Sequence, residues 1–199
     1  DNKQVILHFA GAKSAMYLYL NERFIGYSQG SKTPAEFDIT DFLKEGENLL
    51  ALQMYRWSDA SYLESQDMLR MSGIEREVYL YARPKYFIND IAIEATLDET
   101  YKNGVLQASI ALVNAGDKEE SRTVKIDLID KDKSSVYQKA KEITLKPGDT
   151  TTVIFNTEVP GVSSWSAEVP NLYRLQLSLT GLGNDQFIHK KIGFRKVEI

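Results

Sequence analysis

Hydrophobic and polar residues alternate with a period of two along most of the chain, and the spacing typical of amphipathic helices is hard to find. Because successive side chains of a strand point to opposite faces, this pattern predicts an all-β protein. Within the first 84 residues it predicts five strands: Val5–Phe9, Met16–Leu20, Phe24–Ser28, Asn48–Tyr55 and Val78–Ala82. A complete jelly roll has about eight strands. We therefore expect a partial jelly roll whose other strands precede Asp1.

A second set of alternating segments follows Pro84 and predicts seven strands: Ile88–Leu97, Val105–Asn114, Thr123–Ile129, Gln138–Leu145, Thr151–Phe155, Tyr173–Thr180 and Gln186–Ile192. Seven short strands are typical of an immunoglobulin-like β-sandwich of about 100 residues. In the strand Tyr173–Thr180 the odd-numbered residues are apolar and are expected to face the core. Proline interrupts strand pairing, so we place the boundary there, with domains at residues 1–84 and 85–199.

Composition narrows the range of functions. The chain has 24 basic and 28 acidic residues, a formal charge of −4 and no basic cluster, so a nucleic-acid partner is not expected. The longest apolar runs, such as Leu49–Leu52, are far shorter than a membrane span, and no membrane partner is expected. The absence of cysteine excludes disulfides, thiolate metal sites and a cysteine nucleophile. The compartment stays open between cytoplasm and periplasm.

One segment breaks the alternation. From Arg56 to Gly73 the sequence reads RWSDASYLESQDMLRMSG, and its apolar and aromatic side chains need something to pack against. Connections longer than about a dozen residues without regular structure are usually functional or disordered, and the apolar content disfavours disorder. This segment, the 56–73 loop, is therefore the main candidate for a functional site.

The loop carries three carboxylates, Asp59, Glu64 and Asp67. Glycoside hydrolysis needs two carboxylates facing each other across the scissile bond, and nothing in this spacing makes any two of them such a pair. For Asp67, a salt bridge to Arg70 or Arg76 and a ligand-binding role are both open, and either one predicts partial burial.

Two tryptophans, Trp57 and Trp165, could stack on sugar rings. Both lie beside turn-like serines, so a role in anchoring a loop to its sandwich is favoured for each of them.

The run from Arg56 to Ile74, RWSDASYLESQDMLRMSGI, closely resembles the loop that ends the sugar-binding domain of glycoside hydrolase family 2 β-galactosidases. The run from Phe24 to Thr40 resembles a strand, turn and strand of the same domain. The segments Trp165–Tyr173 and Gly193–Arg195 resemble the closing strands of the family's immunoglobulin-like second domain. The resemblance covers nearly the whole chain.

The resemblance implies that the parent protein hydrolyses terminal β-D-galactosides. In this family the acid/base and nucleophilic glutamates lie on a (β/α)₈ barrel that follows the second domain, so the catalytic residues are expected outside this chain. The chain alone is then expected to be inactive, to bind no cofactor of its own and to brace the barrel. The parent is expected to use magnesium, whose ligands belong to the barrel, and sodium or potassium.

Within the loop, the resemblance assigns to Asp67 the family's aspartate of the Gln-Asp-Met motif. Asp67 would bind a sodium or potassium ion and accept a hydrogen bond from the galactose 6-hydroxyl, two roles that suit a carboxylate oxygen. We expect five other side chains to support the loop: Trp57, Asp59, Tyr62, Glu64 and Arg70. The sequence departs from the family at Leu69, where tryptophan is common, and at Glu75, where an aromatic residue is usual.

Two other functions stay open. A free-standing carbohydrate-binding module would need an aromatic platform, and the two tryptophans lie in different predicted domains. A β-glucuronidase or β-mannosidase fragment would share the sandwiches but lack the Ser-Asp-x-Ser-Tyr-Leu-Glu-x-Gln-Asp-Met loop.

The strand count of the first domain also predicts self-association. If strands are missing, unpaired edges are left before Pro84, and edges of this kind recruit other chains. Apolar side chains of the inner face are then expected to be uncovered, drawn from Ile6, Met16, Leu18, Leu50 and Leu52.

Overall fold

The computed structural model describes residues 3–64, 66–67, 69, 71–181 and 183–198. The chain packs as two compact units, Asp1–Pro84 and Lys85–Ile199. Nearly all regular structure is antiparallel strand, which confirms the all-β prediction. Over the described residues, no helix has the length and apolar character needed to cross a membrane.

The described part of the first unit contains eight strands, a 3-10 helix at Thr40–Phe42 and one short α-helix, α1, at Asp59–Glu64. The strands are β1 (Lys3–Phe9), β2 (Ala12–Lys13), β3 (Ala15–Leu20), β4 (Arg23–Gln29), β5 (Ala35–Asp38), β6 (Leu50–Tyr55), β7 (Gly73–Ile74) and β8 (Val78–Pro84). They form sheets with the orders β5-β1-β8, β4-β3-β6 and β2-β7.

The five predicted strands are present as β1, β3, β4, β6 and β8, but the predicted number was too low, because β2, β5 and β7 were not predicted. Strands β2 and β7 have two residues each, too few for alternation to be visible. Strand β5 carries Glu36 and Asp38, residue types that strands disfavour, and it exists because it pairs with β1 from Ile6↔Asp38 to Phe9↔Ala35.

The core of the first unit is shared by β1 and β3. Leu7 and Phe9 from β1 pack in one cluster with Met16, Leu18 and Leu20 from β3. These residues follow the period of two, so the intervening side chains of β3 point to the opposite face of its sheet.

The second unit contains the seven predicted strands, most of them longer than expected. They are β9 (Tyr86–Leu97), β10 (Gly104–Asn114), β11 (Glu120–Ile129), β12 (Ser135–Leu145), β13 (Thr150–Val159), β14 (Tyr173–Thr180) and β15 (Gln186–Ile192). They form a sheet of order β13-β10-β9 and a sheet of order β12-β11-β14-β15. Strand β12 pairs with β11, whereas the fourth strand of constant-type immunoglobulin domains joins the opposite sheet.

The alternation predicted for β14 is confirmed. Tyr173, Leu175, Leu177 and Leu179 are buried in the core of the second unit, while Arg174 is exposed. Phe194, just after β15, is fully buried and meets Tyr173 edge-on with ring centroids 5.2 Å apart.

Candidate functional site

The 56–73 loop connects the end of β6 to β7. It was expected to lack regular structure, but it contains the helix α1. The Ser58 N–H donates to Ser61 Oγ at 3.0 Å, so the side chain of the third helical residue caps the helix start. Asp59 lies in the first turn, where a negative charge is favourable.

The loop is fastened to the first unit by buried serine hydroxyls. Ser61 Oγ donates to Ser14 Oγ at 2.8 Å, and Ser14 Oγ also makes a hydrogen bond with Ser58 Oγ. Ser14 and Ser61 are both buried. Hydroxyls that satisfy one another inside a core fix the helix in one position, because breaking any bond leaves a buried polar atom unpaired.

A buried amine holds the far side of the loop. Lys13 is only 4% exposed, and its Nζ donates to the Leu69 carbonyl oxygen at 3.0 Å. A buried ammonium group is costly unless it has polar partners, so this bond ties the loop to β2. Sequence reasoning missed Lys13 and Ser14. The one available signal was a lysine within the otherwise small and apolar run Ala10–Met16.

Glu64 lies at the base of the loop. Its Oε1 accepts the Ser31 N–H at 3.3 Å, while its Oε2 and Ser31 Oγ are buried and have no hydrogen-bond partner among the described residues. The turn around Ser31 is further joined to the end of the loop, since Lys32 Nζ and Glu75 Oε2 form an ion pair at 2.5 Å. Glu75, one of the departures from the family pattern, thus has a charged partner on a neighbouring segment.

The outward surface of the loop is apolar. Tyr62 is 86% exposed, and Leu63, Leu69 and Met71 are also exposed. The described residues therefore do not supply the packing partners that these side chains need. A loop with a polar, buried base carries apolar side chains that its own unit does not cover.

Asp67 lies in the turn after α1 and is exposed. Its φ of 54° is in the left-handed region, which aspartate tolerates better than most residues. The expectation of partial burial is wrong, because the turn directs this residue away from the core. Arg76 donates instead to the carbonyl oxygens of Ala10 and Lys32, at 3.4 and 3.1 Å. Arg70 lies outside the described residues.

An alkali cation takes several oxygen ligands. Over the described residues, no group of three or more histidine, aspartate or glutamate side chains could hold a metal ion. The exposed carboxylate of Asp67 could supply one such ligand, and the described residues do not form a complete site around it.

Trp57 was expected to anchor the loop, but its side chain is 56% exposed. The Arg56 guanidinium lies over its ring, 5.4 Å from the centroid. Trp57 and Asp59 line an open pocket together with tyrosines of the sheet β4-β3-β6. Trp165, in the second unit, has Arg195 over its ring at 5.2 Å and packs beside Gly193.

Residues 1–84 match the family model described as the sugar binding domain of glycosyl hydrolases family 2. Residues 86–195 match a second model of the same family. The chain belongs to glycoside hydrolase family 2. The fold of this family 2 chain, two all-β units in sequence, agrees with both matches.

Curated relatives of this family 2 chain are named β-galactosidases. The chain is 42% identical to the protein from Priestia megaterium and 40% identical to the protein from Clostridium acetobutylicum, in both cases over its whole length. It spans only 19% and 21% of the lengths of these two relatives.

Solved structures share the fold. A Bacteroides uniformis β-glucuronidase has a TM-score of 0.85 at 24% identity, covering 97% of this chain and 24% of its own. A putative β-galactosidase from Bacteroides fragilis has a TM-score of 0.85 at 21% identity, covering 100% and 31%. At these identities the likeness supports the fold alone.

Proposed function

We propose that this chain is a non-catalytic part of a β-galactosidase that hydrolyses terminal β-D-galactosides. The observation that carries the proposal is the identity of about 40% along the whole chain with proteins named β-galactosidase. Magnesium and an alkali cation would then serve the whole enzyme, with the magnesium ligands outside this chain.

The carboxylates of the loop support a non-catalytic role. Glu64 accepts a hydrogen bond at the base of the loop, Asp59 lines the tyrosine pocket, and Asp67 is exposed in a turn. Retaining and inverting glycosidases both need two carboxylates about 5 to 9 Å apart across one bond. We place that pair on a barrel domain of the same protein, and the chain alone should not hydrolyse galactosides.

Asp67 is proposed to form one wall of the galactose pocket. An ionised carboxylate accepts a stronger hydrogen bond than a neutral group, which suits recognition of the galactose 6-hydroxyl. The same oxygen atoms would supply one ligand to a sodium or potassium ion. The exposure of Asp67 supports this role, and no ion pair among the described residues involves its carboxylate.

The apolar surface of the loop is proposed to pack against the barrel. Tyr62, Leu63, Leu69 and Met71 are exposed within one short segment, whose base is joined to the first unit by hydrogen bonds. Burying such side chains stabilises association by about 25 cal/mol per Å². Docking would also hold Asp67, which lies between them in sequence, against the active site.

The test of the Asp67 role is Asp67→Asn in the full-length enzyme. The substitution keeps the shape and removes the charge. We expect the turnover of an aryl β-galactoside and the apparent affinity for sodium each to fall by about one to two decades. The reason is that a hydrogen bond to a charged group contributes about 1.5 to 3 kcal/mol.

The matched control is Asp117→Asn, which removes an exposed aspartate of the second unit and should leave kinetics unchanged. Wild-type kinetics for Asp67→Asn across a range of sodium concentrations would assign Asp67 a structural role only. Cleavage of a β-glucuronide in preference to the galactoside would overturn the substrate assignment.

A further inference from the structure

The outer face of the sheet β4-β3-β6 carries a cluster of aromatic rings. Strand register places Tyr17 of β3 between Tyr27 of β4 and Gln53 of β6. The Tyr17 ring lies 4.8 Å from that of Tyr27 and 5.6 Å from that of Tyr55, measured between centroids. Tyr27 and Tyr55 are both exposed. The face opposite the core is therefore an aromatic surface open to solvent.

A pocket of about 280 Å³ lies at one end of this surface. Ala15 is paired with Gln29 on one side and Tyr55 on the other, and its small side chain leaves a depression between them. Trp57 and Asp59, at the start of the 56–73 loop, complete the wall. The volume is at the small end of ligand pockets, which suits one sugar ring rather than a larger molecule.

Polar groups around the pocket are already oriented. The Tyr27 hydroxyl donates to Gln29 Oε1 at 2.7 Å, so the Gln29 amide keeps its two N–H donors. Gln53 Nε2 donates to the Tyr55 hydroxyl oxygen at 2.8 Å, so the Tyr55 hydroxyl keeps its own proton. The carboxylate of Asp59 adds acceptors. Donors and acceptors thus alternate beside the aromatic surface.

Charges of both signs lie at the pocket. Among its described lining residues, Asp59 alone carries a charge, and the Arg56 guanidinium lies over the Trp57 ring, 5.4 Å from the centroid. Partial desolvation, followed by the charges of Tyr17 and Asp59, raises the pKa of the Tyr27 phenol, so this hydroxyl stays a hydrogen-bond donor. With one acidic and one basic side chain, the pocket does not require a charged ligand.

A neutral pyranoside matches these features. Its ring presents C–H groups that favour the electron-rich face of an aromatic ring, and its hydroxyls act as both donors and acceptors. We propose that the pocket lined by Tyr17, Tyr27, Gln29, Tyr55, Trp57 and Asp59 binds a single neutral hexopyranoside. The tyrosines and Trp57 form the stacking surface, and Gln29 and Asp59 bind hydroxyls. This inference is independent of the proposed function, because Asp67 does not line the pocket.

The test is saturation-transfer difference NMR on the 199-residue chain with methyl β-D-galactopyranoside. We expect saturation of the ring C–H protons and a dissociation constant in the millimolar range. Tyr27→Ala and Asp59→Asn should each weaken binding by about threefold to tenfold, as expected for loss of a ring face or of a charged acceptor. Both residues are exposed, so neither substitution removes core packing.

Phe187→Ala, which removes an exposed aromatic ring of the second unit, should leave binding unchanged. Asp117→Asn, at an exposed aspartate of the second unit, should also leave it unchanged. No saturation transfer, or binding that survives Tyr27→Ala and Asp59→Asn, would overturn the site. Loss of the exposed tyrosine signals through dimerisation without sugar binding would assign the face to protein contact instead.

Discussion

The Lys13 amine donates a hydrogen bond to the carbonyl oxygen of Leu69, 56 residues further along the chain. Leu69 belongs to the same loop as Asp67. Lys13 is buried whereas Leu69 is exposed, so the hydrogen bond joins the interior of the unit to the surface of the loop. At the scale of one residue, the position of the candidate site therefore depends on a group that takes no part in its chemistry.

We predict that Lys13→Met loosens the loop. Methionine fills much the same space as the lysine stem but donates no hydrogen bond, so the Leu69 carbonyl loses its partner at a cost of about 1 to 3 kcal/mol. Limited proteolysis should then cut within residues 56–73 faster than in the wild type. The exposed Lys44→Met is the matched control, and equal cleavage rates for the two variants would contradict the prediction.

The ion pair between Glu75 and Lys32 should make the stability of the first unit depend on pH. The hydrogen bond from Lys32 is the main cause that lowers the pKa of the Glu75 carboxyl below the usual 4.5. Partial desolvation opposes this effect, and the charges of Lys32, Lys13 and Arg76 add to the lowering. A carboxyl whose pKa is lower in the folded state stabilises the fold above its unfolded pKa. That contribution is lost as the pH falls through the folded pKa.

We therefore expect Glu75→Gln to reduce the free energy of unfolding at pH 7 by about 0.2 to 1 kcal/mol, the range for a partly exposed pair. Below the folded pKa the variant and the wild type should be equally stable. Urea titrations at neutral and acidic pH measure the difference, and a gap that persists at low pH would show that the ion pair is not its cause.

Strands of the second unit approach one another closely where a glycine leaves room. A Cβ atom on Gly104, the first residue of β10, would lie 2.6 Å from the ring of Phe194 and 2.9 Å from Val162. Phe194 is fully buried against Tyr173 and cannot move aside easily. At the scale of the element, the buried ring of Phe194 therefore favours glycine at the first residue of β10.

We predict that Gly104→Ala destabilises the second unit by about 1 to 3 kcal/mol, the usual cost of overpacking a core. Val105→Ala changes the adjacent, exposed position and should have a smaller effect. Thermal unfolding compares the two variants, and a Gly104→Ala midpoint no lower than that of Val105→Ala would show that Phe194 can shift.

At the scale of the whole molecule, the basis for self-association differs from the one expected. Met16 and Leu18 are buried in the core that the two larger sheets share, and Ile6 is buried outside that core, so these residues are not uncovered. Leu50 is exposed and Leu52 is half-buried. The unpaired side of β8 is the better candidate, because β8 is an edge strand and Val78, Tyr79 and Leu80 are exposed along it.

We predict that the chain self-associates by pairing of β8 edges. Exposed edge strands with apolar side chains recruit other strands, and a charge on the edge prevents this. Light scattering should show concentration-dependent dimers for the wild type and monomers for Leu80→Lys. Val136→Lys, on the edge strand β12 of the second unit, is the control and should still dimerise. Monomers of the wild type at all concentrations would refute the prediction.

The sequence alone determined the features that depend on local pattern. The period of two is a property of neighbouring residues, so it predicted the all-β class, the seven strands of the second unit and the inward side chains of β14. The 56–73 loop was identified because its residues break that period. The family was identified because the residues of this loop form a long and specific run.

The tertiary structure decided everything that depends on which segments meet. Strand β5 exists through its pairing with β1, and Lys13 is buried because it meets Leu69. The tyrosine surface comes from strands whose register places Tyr17, Tyr27 and Tyr55 on one face. A shift of one residue in any pairing would turn those side chains to the other face, and no local pattern records the pairing. Register, rather than composition, therefore determines the candidate sites of this protein.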